Sequence, residues 1–162
     1  MEDNKEIALK NIVDSQWKKL PSGTNFGMVN EIHWVKYEFE NSTTEDIERV
    51  FYLPYHHIRD ITLFFSSNND TTNLGTYGTM HSYADKEEQT PGYVKTIKFP
   101  KGNSTLFLRI EHLNIPLRAS SYLISKTKLE ETLKSSESSF SLWRIVILLA
   151  IFISLVVFLL TK

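Results

Sequence analysis

The stretch WVKYEFEN, residues 34–41, decides the reading of the fold. Val35, Tyr37 and Phe39 alternate with Lys36, Glu38 and Glu40, a period of two that places one set on a core and the other in water. The pattern returns at Ile61, Leu63 and Phe65, and again where Leu106, Leu108 and Ile110 alternate with Phe107, Arg109 and Glu111. Shorter candidates are RVFYLPY (49–55), GYVKTIKFP (92–100) and SSYLISK (120–126). Between them ENSTTED (40–46), SSNNDTTNLG (66–75) and PKGNS (100–104) carry turn chemistry. Six or more short strands separated by polar turns predict an all-β, antiparallel sandwich.

Ahead of this stretch, TNFGMVN (24–30) is turn-prone around Asn25, Gly27 and Asn30. Gly27 is expected to permit a tight backbone turn, Trp34 to pack at the sheet edge, and Val35, Tyr37 and Phe39 to fill the core. Leu9, Ile12, Val13 and Trp17 stand at helical spacing before the breaker LPSGTN, which predicts a short N-terminal helix. At the other end, IVILLAIFISLVVFLL (145–160) has no charge and one polar residue, Ser154. With its flanks it reaches the roughly 20 residues of a membrane-crossing helix, with Trp143, Arg144 and Lys162 as interfacial anchors. The expected organisation is a folded domain over 1–125, a Ser-rich flexible stalk over 126–141, with a short helix at its start, and a transmembrane helix over 142–162.

The chain has 162 residues, net charge −1 and no cysteine. No excess of Lys and Arg stands ready to displace counterions from phosphates, so nucleic acid is not an expected partner. Disulfides, thiolate metal sites and cysteine nucleophiles are excluded. The first residues, MEDNKEIALKNIVDSQW, have no apolar core of a signal peptide.

Signals of chemistry are weak. His56 and His57 are adjacent, and neighbours on a strand point to opposite faces. No HxH or HExxH spacing occurs, so no metal and no cofactor is expected. Glu38, Glu40, Asp60 and Glu111 supply carboxylates on or beside strands, but nothing marks a facing acid pair. No nucleophile or phosphate-loop motif appears, and no enzyme is expected. Three Asn-x-Ser/Thr triplets, at Asn41, Asn69 and Asn103, fall in expected turns. Aromatics such as Trp34, Tyr37, Tyr52, Tyr55 and Tyr122 could form a stacking platform or simply fill a sandwich core.

Taken in order, LPSGTNFGMVNEIHWVKYEFEN, RVFYLPYHHIRDITLFF and YVKTIKFPKGNSTLFLRIEH resemble the extracytoplasmic sensor domain, type 2, of seven-transmembrane receptors with diverse intracellular signalling modules. The matching residues are Asn25, Phe26, Gly27, Trp34, Lys36 and Asn41, then Asp60, Ile61, Leu63 and Phe64, then Leu106, Phe107, Leu108 and Arg109, within about residues 15 to 130. The resemblance implies a jelly-roll like that of carbohydrate-binding modules, held outside a bacterial cytoplasmic membrane, that senses a small ligand and relays to a signalling partner. It also implies further helices and an output module, whereas one apolar segment is present here, so a truncated relative or a fragment is expected.

The expected function is a membrane-anchored sensor for a small ligand, carbohydrate among the candidates. The alternative is a membrane-anchored protein-contact module with no small ligand. Lys126, Lys128, Lys134 and Arg144 lie on the domain side of the apolar segment, against Lys162 beyond it; that charge balance favours a cytoplasmic domain, and the resemblance favours an extracytoplasmic one. Should a groove exist, the candidate binding residues are Tyr55, His56, His57, Arg109, Glu111 and His112, with Gly27, Trp34 and Asp60 as structural residues. Arg109 and Glu111 share a face with Phe107 and are expected to be more exposed than Leu106, Leu108 and Ile110. There Arg109 would fork onto a ligand carboxylate or hydroxyl pair, or onto a strand glutamate.

Overall fold

A computed structural model of the chain describes residues 9, 11–12, 15–19, 25–28, 31–54, 57–68, 70–82, 90, 92–111, 116–118 and 120–160. Among them the strands are β1 (Asn25–Met28), β2 (Ile32–Asn41), β3 (Ile47–Leu53), β4 (Asp60–Ser67), β5 (Asp70–Tyr77), β6 (Tyr93–Phe99), β7 (Gly102–Glu111), β8 (Pro116–Arg118) and β9 (Tyr122–Ile124). They form a four-stranded sheet in the order β2-β7-β4-β5, a three-stranded sheet in the order β6-β3-β9, and the pair β1-β8. Every pairing is antiparallel. Strands β4 and β5 follow each other as a hairpin, while β2 to β3, β3 to β4, β5 to β6 and β6 to β7 each change sheet.

The period-two pattern explains why the larger sheets face each other. Val35 of β2, Ile61, Leu63 and Phe65 of β4, and Leu106, Leu108 and Ile110 of β7 meet Phe51 and Leu53 of β3 and Tyr93, Ile97 and Phe99 of β6 in one buried cluster. Tyr37 and Phe39 are partly buried against it. Burial of each such side chain contributes roughly 1.5–3 kcal/mol, so this interior dominates the stability of the domain.

Both outer faces are covered as well. Phe64 and Phe107, on the far side of the four-stranded sheet, are buried with Leu9 and packed by Trp17 and Trp34. The described residues Leu9, Asn11 and Ile12 are helical, as the N-terminal spacing predicts. On the far side of the three-stranded sheet, Val50, Tyr52 and Val94 are buried with Leu129, with Ile124 and Leu133 against them.

Leu129 and Leu133 belong to a helix over Lys126–Leu160. The structure thereby corrects the expectation of a flexible stalk over 126–141: the Ser-rich stretch is helical throughout. Ser125 caps the helix, its hydroxyl accepting from Lys128 N at 3.2 Å while its carbonyl accepts from Leu129 N at 3.0 Å. Lys128 pairs with Glu131 at 3.0 Å one turn on. Serine is only a few tenths of a kcal/mol poorer than good helix formers, too little to break a helix docked at its start. Counted over the described residues, no helix is long and apolar enough to cross a membrane; several side chains of 155–160 fall outside that count.

Two further expectations are corrected. Residues 66–75, read as a turn, turn the chain at Asn68, which has φ +51°, and then continue as β5. The Thr-rich β5 brings only Leu74 and Tyr77 against the main core, too few to show a hydrophobic alternation. Its register against β4 shifts between Leu63 and Phe64. The NFGM part of the turn-prone lead-in is likewise a strand, β1, with Gly27 at φ +73°; no atom lies within 4 Å of where its Cβ would stand, so backbone angle rather than crowding favours glycine.

Asn41, the first triplet asparagine, ends β2 and is buried. Its amide donates to the carbonyls of Glu45 (2.9 Å) and Phe99 (3.1 Å), and its Oδ1 accepts from the backbone N–H (3.0 Å) and hydroxyl (2.7 Å) of Thr43. It therefore closes the β2–β3 turn and ties it to the end of β6. Replacing Asn41 by Ala leaves buried partners unsatisfied, and urea unfolding should show a loss of about 1–3 kcal/mol. Burial holds the phenols of Tyr37 and Tyr93 above their ordinary 10.0; for Tyr37 it outweighs the hydrogen bond from Ser121. The folded chain keeps these protons more tightly than the unfolded one, so their contribution is complete below about pH 10 and is lost as pH rises through the raised values. The urea midpoint should be level from pH 7 to 9 and fall above 10, less steeply in Tyr37→Phe.

Candidate functional site

The outer face of the four-stranded sheet is built from rows of cross-strand neighbours. One row runs Trp34, Arg109, Thr62, Thr76, and the next runs Ile32, Glu111, Asp60. These two rows bring the charged ends of β4 and β7 together. Arg109 Nη1 lies 3.3 Å from Asp60 Oδ1 and Nη2 lies 3.4 Å from Glu111 Oε2. The other oxygen of Asp60 lies 3.0 Å from His81 Nε2, and Glu111 Oε1 lies 3.7 Å from Arg59 Nε. Thr62 donates to Asp60 Oδ1 at 3.5 Å and shares a hydrogen bond of 3.1 Å with Thr76. Arg59, Glu111, Arg109, Asp60 and His81 thus form a chain of alternating partners.

Exposure rises along this chain from its centre. The side chain of Arg109 is 10% exposed and that of Asp60 14%, against 32% for Glu111, 33% for His81 and 39% for Arg59. Arg109 and Glu111 are more exposed than Leu106, Leu108 and Ile110, as expected, but for Arg109 the difference is small: it and Phe107 are both buried. The alternation that sends them away from the main core is real, but the second face is not open to water. Trp34 reaches across β7 to stack on Phe64 at 6.0 Å, and Trp17 lies 5.9 Å from Phe107. Lys36 sits 5.8 Å over the Trp17 ring. A sequence pattern reports faces, not what later covers them.

His81 is brought to Asp60 by a close backbone approach. At Gly78, φ is +141°, and an added Cβ would stand 2.2 Å from the Arg59 carbonyl oxygen. Thr79 N donates to Ile58 O at 2.9 Å, Met80 N to Arg59 O at 3.3 Å and His81 N to Gly78 O at 3.1 Å. Only glycine lets the loop lie this tightly against the start of β4.

Of the six candidate binding residues, the structure brings Arg109 and Glu111 into contact. His57 is exposed just before Ile58, and Tyr55, His56 and His112 lie outside the described residues. Asp60, read as structural, sits at the centre of the chain of ion pairs, and Trp34 covers its neighbours from an edge strand. Sequence reasoning missed Arg59, Thr62 and His81. Thr62 was legible, since it alternates with Ile61 and Leu63 beside Asp60. His81 was not, because its position depends on the Gly78 approach across 21 residues. Among the described residues no group of three or more His, Asp or Glu side chains is placed to hold a metal ion.

A family model described as 7TMR-DISM extracellular 2 matches residues 2–124. No curated protein and no solved structure matches the chain.

The exposure gradient separates the two arginines. Arg109→Ala removes the guanidinium that balances the covered Asp60 carboxylate, and chemical denaturation should show a loss of about 3–5 kcal/mol. Arg59→Ala removes a half-exposed, long ion pair and should cost under about 1 kcal/mol in the same measurement.

Proposed function

We propose that this chain, which belongs to the 7TMR-DISM extracellular 2 family, is the sensor domain of a membrane-anchored signalling protein and binds a small polar ligand on the outer face of its four-stranded sheet. The family is one of extracellular receptor domains. The observation that carries the ligand reading is the graded chain of charges: a buried Arg109–Asp60 pair under half-exposed Arg59, Glu111 and His81. The buried pair holds its neighbours in place, and the exposed members present cationic or neutral donors beside a carboxylate acceptor. A ligand with vicinal hydroxyls, such as a sugar, or with a carboxylate, matches that set of donors and acceptors.

The bilayer anchor is the apolar part of the C-terminal helix. Trp143, residues 145–149 and 151–153, and Val157 are exposed apolar side chains around the helix, a surface far beyond what a water-facing helix carries. Residues 143–160 span about 27 Å as helix, close to the ~30 Å hydrocarbon thickness. Ser154 donates to Ala150 O at 2.9 Å, which satisfies its hydroxyl within the helix. The family supports an extracytoplasmic position for the domain.

A protein-contact module remains the second reading, favoured by one observation: Phe64 and Phe107 are covered by Leu9, Trp17 and Trp34 rather than offered as a stacking surface.

Thermal shift of the full chain in detergent, against mono- and oligosaccharides and small carboxylic acids, tests the choice. A ligand at 100 times its dissociation constant should add about 2.7 kcal/mol of stability. The shift should vanish in Arg59→Ala and His81→Ala, whose unliganded melting stays near wild type. A flat screen on folded protein would sink the ligand reading in favour of the second one.

A further inference from the structure

Strand β9 and the C-terminal helix are joined by a single residue. Ile124 ends the strand, Ser125 caps the helix, and Lys126 begins it. Strand β9 is paired to β3 at Val50, Phe51 and Tyr52, so the helix leaves the sheet with no slack. One turn in, Leu129 is 2% exposed among Val50, Tyr52 and Val94, and Leu133 packs on the same side. Beyond Leu133 the helix continues without interruption through the Ser-rich segment to the exposed apolar run. Two attachments, a strand in the sheet and a leucine pair on its face, hold its direction against rotation and tilt.

We infer that the C-terminal helix is a stiff output arm clamped to the β6-β3-β9 sheet by Leu129 and Leu133, and not a tether that leaves the domain free above the membrane. The inference rests on the reading of this chain as a membrane-anchored sensor. From Leu129 to Arg144 the arm measures about 22 Å. Strand β3 lies between the arm and the candidate site. Its Val50 and Tyr52 hold Leu129, while Phe51 and Leu53, alternating with them, pack in the main cluster with β4 and β7. Those two strands carry Asp60 and Arg109 on their far side. A displacement of β4 or β7 against β3 therefore meets the arm's clamp after crossing one strand, and the arm carries it toward the apolar segment as a change of direction.

The absence of cysteine makes two-site spin labelling direct. Labels at Glu48 on β3 and Arg144 on the helix, both exposed, report the arm's direction in lipid nanodiscs by pulsed dipolar spectroscopy. The expected result is one narrow distance. Leu129→Ala with Leu133→Ala should at least double its width, while Glu131→Ala, exposed on the same helix, should leave it unchanged. A Gly-Gly insertion after Ser135 avoids any folding defect in the domain and should broaden the distance with domain melting unaltered. A broad distance in the unaltered chain, or a width that the insertion and the leucine pair both leave intact, overturns the inference. The measurement needs no ligand, so a failed ligand screen with a narrow distance removes the sensor reading and leaves the clamp, and a positive screen with a broad distance does the reverse.

Discussion

Strand β7 is hydrogen-bonded to β2 along its whole length and to β4 from Ser104 onward. Because a strand sends successive side chains to opposite faces, this one segment supplies both the centre of the main core, through Leu106, Leu108 and Ile110, and the centre of the outer face, through Phe107, Arg109 and Glu111. A one-residue slip would carry Arg109 into the main core and three aliphatic side chains out of it. Register along β7 thus sets where the interior, the charged chain and the aromatic cover lie, and the flanking strands inherit it.

The cost of that arrangement is a buried guanidinium. A buried charge is tolerated when it is paired and hydrogen-bonded, and Arg109 meets the condition with two carboxylates, one from its own strand and one from β4. The carboxylates pass the pairing outward to Arg59 and His81. The centre of the chain of ion pairs is thus covered, while its ends at Arg59 and His81 reach toward water.

The main core was legible because alternation is strong where one face is wholly apolar: the strands containing Val35, Leu63 and Leu108 stand out by their period of two. Strand β5 was not, because its inner face carries Thr72 and Gly75 beside Leu74 and Tyr77, too little apolar character to show alternation. The stalk was misread for a related reason. Leu129 and Leu133 implied a short helix at its start, which the structure shows docked by those two residues, but the serine run after them looks like linker and does not reveal that the helix continues. At the candidate site, the family motif residues Asp60 and Arg109 could be named from sequence but not joined, since their pairing is a product of register. His81 needed the backbone approach at Gly78, which no local pattern encodes.

Edge strands have a bearing on how crowded copies behave. The free side of β5 carries Asp70 at its start and Gly75 at φ +122°, and its register shift at Leu63 and Phe64 twists the ribbon away from flatness. The opposite edge, β2, alternates Lys36, Glu38 and Glu40 along its outer face. Charge, a bulge and a left-handed glycine are each poor templates for a neighbouring strand. Copies brought close together would therefore find little to zip together at the margins of the four-stranded sheet.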